Sequence, residues 1–169
     1  SWAFTTYNGI DVPDKLVRLN SDGSYDTSFN SGGAGFPSNN SISYTEVQSD
    51  GKIIVAGFFD TYNGTDYQDN ILRLNTDGSV DTTFNSGGTG FNSASTNLAT
   101  IAIQSDGKIL VGGVFTSYNG ISNSARLLRL NSDGSYDTSF NSGGTGFNNF
   151  VRKVIVQPDG KIIVAGFFT

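Results

Sequence analysis

The sequence predicts an all-β fold, a β-propeller of four-stranded antiparallel blades with about three repeats present. Three observations predict it. First, NSDGSYDTSFNSGGTGF, from Asn131 to Phe147, recurs almost unchanged at Asn20 to Phe36 and Asn75 to Phe91. Second, Gln-x-Asp-Gly-Lys-Ile recurs from Gln48, Gln104 and Gln157, and Tyr-Asn-Gly recurs at Tyr7, Tyr62 and Tyr118. Third, these modules interleave with one period, since Phe4, Phe59, Phe115 and Phe168 share one phase, separated by 55, 56 and 53 residues. A fixed period of that length, filled with turn signals and short apolar runs, is the pattern of propeller blades.

Composition bounds the chemistry. The 169 residues are 12% aromatic, enough for a packed core and against disorder. The chain has no Cys and no His, so disulfides, thiolate metal sites and the commonest general base are missing. A net charge of −5 argues against binding a phosphate backbone, so no nucleic-acid partner is expected. No apolar run is long enough to span a membrane as a helix, and no membrane insertion is expected.

Within a repeat the strands can be placed in order. In the middle copy they are Ser43–Gln48, Lys52–Phe59, Ile71–Asn75 and Ser79–Phe84. The second, KIIVAGFF, is nearly continuous in apolar residues, as for a strand covered on both faces. Asn-Ser-Asp-Gly-Ser and Gln-Pro-Asp-Gly-Lys each fit a three-residue loop, a type I turn followed by a left-handed glycine. Gly23, Gly51, Gly78, Gly107, Gly134 and Gly160 are therefore expected at positive φ. That loop sets Leu19 opposite Tyr25 and Arg18 opposite Asp26, with Arg73–Asp81 and Arg129–Asp137 as the copies. A repeated cross-strand tie is preferred here to catalysis, because a functional carboxylate seldom recurs in every repeat.

The chain opens in mid-repeat. Residues 1–36 give a half-blade (strands three and four) and a connector, 37–91 and 92–147 one blade each, and 148–169 a half-blade of strands one and two. This phase, and the absence of an initial Met, fit a fragment or processed product. Three blades are too few for a ring, so completion by further repeats of a longer chain or by a second copy is expected. Connector NSGGTGF reads as a flexible inter-blade link rather than a phosphate loop, lacking the Gly-Lys-Ser/Thr ending.

QSDGKILVGGVF followed by RLLRLNSDGSYDTSF resembles the delta-60 repeat family of bacterial and viral proteins, and is similar in strand pattern to NHL-type propellers. The resemblance covers nearly the whole chain. It implies a propeller, no catalytic motif, and large secreted, cell-surface or virion-associated proteins.

In an up-down-up-down blade the Asp-Gly hairpins lie on one face, and the variable segments, residues 10–15, 65–70 and 121–126, lie on the other. Binding is expected among those segments. The candidate ligand-binding residues are Asp11, Asp14, Asp66, Tyr67, Asp69, Asn70, Asn123 and Arg126. Asp, Asn and Tyr there suit a glycan or cation site, and a protein or glycan partner is expected on that face. No catalytic residue, metal ligand or cofactor is assigned. The leading expectation is a non-catalytic scaffold or binding module, extracellular, on a cell surface or on a virion tail or fibre. The alternatives are a glycan hydrolase or lyase using Asp66 and Asp69 as acid and base, and a spacer without ligand.

Overall fold

The computed structural model describes residues 6–12, 15–37, 39–67, 70–91, 97–122 and 126–169. Among the described residues every regular element is a β-strand, as expected. Chain order begins with β1 (Thr6–Tyr7) and β2 (Ile10–Asp11), a two-stranded hairpin. The first full blade contains β3 (Ser41–Val47), β4 (Ile53–Phe58), a small hairpin of β5 (Thr61–Tyr62) and β6 (Thr65–Asp66), and β7 (Ile71–Leu74). The second repeats it with β8 (Asn97–Ile103), β9 (Ile109–Val114), β10 (Ser117–Tyr118), β11 (Ile121–Ser122) and β12 (Leu127–Leu130). The last sheet pairs β13 (Val151–Val156) with β14 (Ile162–Gly166).

In both full blades the second strand is central, giving sheets ordered β3-β4-β7 and β8-β9-β12, all antiparallel. That position explains its composition. Ile54, Val55 and Ala56, like Ile109, Leu110 and Val111, are fully buried because both faces of the strand are covered. Sheets pack in sequence, β8 against β3 and β4, and β13 against β8 and β9.

Each first strand carries a bulge at the same phase, between Ile42 and Tyr44, Leu98 and Thr100, and Val151 and Lys153. The bulge brings backbone against the second strand. A β-carbon on Gly57 would lie 2.1 Å from the Ser41 carbonyl oxygen, and on Gly113 2.2 Å from that of Asn97. Only glycine fits there.

The fourth strand differs from expectation. Instead of Ser79–Phe84, the hairpin closes with a single bridge, Leu74 to Val80, repeated as Leu19–Tyr25 and Leu130–Tyr136. The cause is local. Asp81 Oδ1 accepts from both the Thr83 amide (3.0 Å) and the Thr83 hydroxyl (2.6 Å), turning the backbone out of the ladder. Asp137 does the same with Ser139, and Asp26 with Ser28.

The connector is also not a loose link. Asn30, Asn85 and Asn141 sit at positive φ and close a turn on Gly33, Gly88 and Gly144. Phe36 and Phe91 are then buried, ring centroids 5.1 Å from Phe59 and Phe115. Those contacts anchor what the composition suggested was mobile.

Candidate functional site

The fixed residues of each repeat converge on one cluster. In the first full blade Arg73 Nε and Lys52 Nζ lie 2.8 and 2.7 Å from the same oxygen of Asp81. Arg129, Lys108 and Asp137 repeat the arrangement at 2.8 Å for both contacts. The expected Arg–Asp tie is present, and the lysine of Gln-x-Asp-Gly-Lys joins it from the central strand. Each arginine also lies over an aromatic ring, Arg73 4.9 Å from the Phe84 centroid. A second arginine nitrogen crosses to the next repeat, where Arg73 Nη1 donates to the Ser132 carbonyl (2.5 Å) and Arg18 Nη1 to that of Thr76. A cluster used this way is structural: it ties strand to strand and blade to blade.

Its carboxylates are correspondingly strong acids. For Asp81, burial alone would raise the pKa, but hydrogen bonds from Lys52 and Thr83 with the Arg73 charge outweigh it and hold the group well below the usual carboxylate range. Lys108 and Ser139 do the same for Asp137, and Ser28 with Arg18 lower Asp26 to about 2. Depressed folded-state values mean that the linked stability is present above the unfolded Asp pKa of about 3.9 and is lost as pH falls through the folded values. The melting temperature is therefore expected to hold from pH 7 to about 4 and to fall steeply toward pH 2. Thermal unfolding followed by circular dichroism checks it; a flat profile down to pH 2 contradicts it.

The Tyr-Asn-Gly modules form two-residue hairpins. Asn63 and Gly64 have φ of 50° and 75°, both positive, as a type I′ turn requires. Tyr62 is buried and its hydroxyl donates to the Gly78 carbonyl at 2.8 Å; Tyr118 repeats this with Gly134 at 2.6 Å. Asn63 reaches back to the preceding connector. Its Oδ1 accepts from the Gly35 amide (2.7 Å), and its Nδ2 donates to Asn30 Oδ1 (2.8 Å). Asn119 clasps Gly90 and Asn85 in the same way. The Tyr-Asn-Gly hairpin, which precedes the variable segment 65–70, thus packs against the Asp-Gly turn at Gly78.

The proposed ligand residues divide into groups. Asp11 and Asp66 are exposed at the ends of β2 and β6. Tyr67 is half-buried against the cluster of Phe29, Phe36 and Tyr62. Asn70 is buried at positive φ and donates to the Phe91 carbonyl at 2.8 Å, so its side chain serves the blade. Arg126, at the matching phase, donates to the Phe115 carbonyl at 3.1 Å. Asp14, Asp69 and Asn123 lie outside the described residues.

Asp66 and Tyr67 are brought together with residues sequence reading did not connect to them. They line a groove of about 290 Å³ with Arg73, Thr82, Asn85 and Ser86. Asp-x-Thr at Asp81 is the signal that could have placed this segment, since it marks a turn where a strand was expected.

A sequence profile described as a domain of unknown function, DUF5122, beta-propeller, matches residues 3–29, 48–84, 104–140 and 157–169, more than half of the chain. The chain belongs to that family. A search of the curated proteins finds no match. The two middle DUF5122 segments, 48–84 and 104–140, run from the Asp-Gly-Lys hairpin to the phenylalanine under the arginine, so they contain the whole Lys–Arg–Asp cluster of each full blade. Most of each connector and the bulged first strands fall between them.

Proposed function

We propose that the chain is a non-catalytic propeller scaffold that binds a glycan at the groove beside Asp66 and Tyr67. The groove carries this reading: an exposed carboxylate, a half-buried tyrosine, and hydroxyl and amide side chains from Thr82, Ser86 and Asn85 around a small polar hollow. Its volume of about 290 Å³ is at the small end for ligand pockets and suits a single sugar ring. Sugars are held by such polar fingers and an aromatic edge.

The absence of His and Cys supports a non-catalytic role. A glycosidase also needs one carboxyl kept protonated by a raised pKa. The cluster aspartates are shifted the opposite way. The delta-60 resemblance, with its secreted, surface and virion-associated proteins, supports an extracellular, cell-surface or virion setting.

A glycan array with the wild-type chain, Asp66→Ala and Tyr67→Phe tests it. The expected result is binding to a subset of glycans, weakened about tenfold or more by Asp66→Ala, the loss of one charged hydrogen-bond partner. A blank array would sink the reading and leave a spacer without a ligand.

A further inference from the structure

The groove beside Asp66 and Tyr67 has two walls, and different parts of the chain hold them. The Asp66 wall is tied within its own blade: Asp66 pairs with Thr61, and the Tyr67 amide donates to the Asp60 carbonyl at 2.7 Å. The opposite wall is the turn from Asn85 to Gly88, which follows the Asp81 cluster. Its sequence, Asn-Ser-Gly-Gly, has little stiffness of its own, because glycine has the largest backbone freedom to lose. What holds this wall comes from the next blade.

Asn119, half-buried at the tip of the β10–β11 hairpin, supplies most of that hold. Its Nδ2 donates to Asn85 Oδ1 at 2.7 Å. Its Oδ1 accepts from the amides of Thr89 and Gly90, at 2.9 and 2.8 Å. Its own amide donates to the Gly90 carbonyl at 2.9 Å. The Asn85 amide donates to the Asp133 carbonyl at 2.7 Å, again in the next blade. Gly88 lies directly on the amide pair. A β-carbon there would sit 2.1 Å from Asn85 Oδ1 and 2.6 Å from Asn119 Oδ1. The groove floor crosses the same seam, since Arg73 lines the groove and donates to the Ser132 carbonyl at 2.5 Å. Asn119 itself stands behind the wall and does not line the groove.

We propose that Asn119 is a positioning residue for the groove, so that a sugar held there is bound across the seam between two blades. The proposal rests on the glycan reading of the groove and adds what regulates it: the docking of the next blade. Ser86, exposed on the clasped wall, faces the ligand with its hydroxyl already placed. Ordering the wall before the sugar arrives removes that entropy cost from binding. Linkage gives the converse, because a ligand that favours the ordered wall favours the docked blade by the same factor.

Hydrogen exchange and a glycan array, the array read over a protein dilution series, decide this. Asn119→Gly removes the clasp and keeps the positive φ of 49° that the hairpin needs. It is expected to speed exchange of the amides from Asn85 to Gly90 in the unliganded protein, and to weaken array binding about tenfold. Asn119→Asp keeps acceptors for the Thr89 and Gly90 amides and should recover part of that affinity. Thr100→Val is the control for general destabilisation. Thr100 is fully buried and its hydroxyl accepts from the Val154 amide at 3.1 Å, at the other seam. It should lower the melting temperature and leave array binding unchanged. A wild type that binds, with Asn119→Gly binding equally well or exchanging no faster from Asn85 to Gly90, would overturn the positioning role alone. So would an Asn119→Asp chain no better than Asn119→Gly, or a Thr100→Val chain that loses as much affinity. A blank wild-type array would instead overturn the glycan reading and this proposal with it.

Discussion

Asp81→Asn is expected to destabilise the chain by about 2–3 kcal/mol. The side chain of Asp81 is 6% exposed and that of Arg73 8%, so the substitution strands a buried guanidinium opposite a neutral amide. Breaking a fully buried pair costs about 3–5 kcal/mol. The expected figure is lower because Lys52 is 32% exposed and can turn to water. The cost also includes a contact the substitution does not touch directly. Arg73 is held by Asp81 in the position from which it donates to the Ser132 carbonyl of the next blade. Asp26→Asn is the internal control, since Arg18 is 37% exposed and, among the described residues, no lysine joins that pair. Urea denaturation of both variants checks the argument. Equal loss in the two would mean that burial and the shared lysine contribute nothing.

How far the sequence was legible follows distance along the chain. The six Asp-Gly hairpins involve neighbours in sequence, and their glycines have φ of 81–87° as the turn chemistry demands. The Arg73–Asp81 pairing follows directly from that turn, because a three-residue loop fixes which residues face each other. Two local features were readable but went unread. Asn-Gly with flanking strand residues at Tyr62 is itself a hairpin signal, and Asp-x-Thr at Asp81 is a turn signal that ends the fourth strand early. Contacts across longer distances were not legible. Lys52 meets Asp81 from 29 residues away, and Asn63 clasps Asn30 across 33. Both depend on how strands stack and blades dock, which no local propensity encodes. The groove beside Asp66 shows the same limit: Asp66 and Tyr67 stood out as loop residues, while Thr82, Asn85 and Ser86 read as strand and linker.

Gly134→Ala is expected to cost about 3 kcal/mol, and Gly160→Ala only about 1–2. Both glycines close the same kind of loop, with φ of 87° and 81°. A β-carbon in the left-handed region costs about 1–2 kcal/mol, and that term is common to both. The difference lies in what the β-carbon meets. At Gly160 nothing lies within 4 Å. At Gly134 it would sit 2.8 Å from the Asn85 amide nitrogen and 2.9 Å from the Phe84 ring. That amide donates to the Asp133 carbonyl at 2.7 Å, so the hairpin cannot retreat without giving up an inter-blade hydrogen bond. Overpacking of this kind adds about 1–3 kcal/mol. Gly78 meets Asn30 in the same geometry, and Gly78→Ala should match Gly134→Ala rather than Gly160→Ala. Chemical denaturation of the three variants measures the difference. If all three lose the same stability, the close approach of each hairpin to the preceding repeat does not hold the blades together.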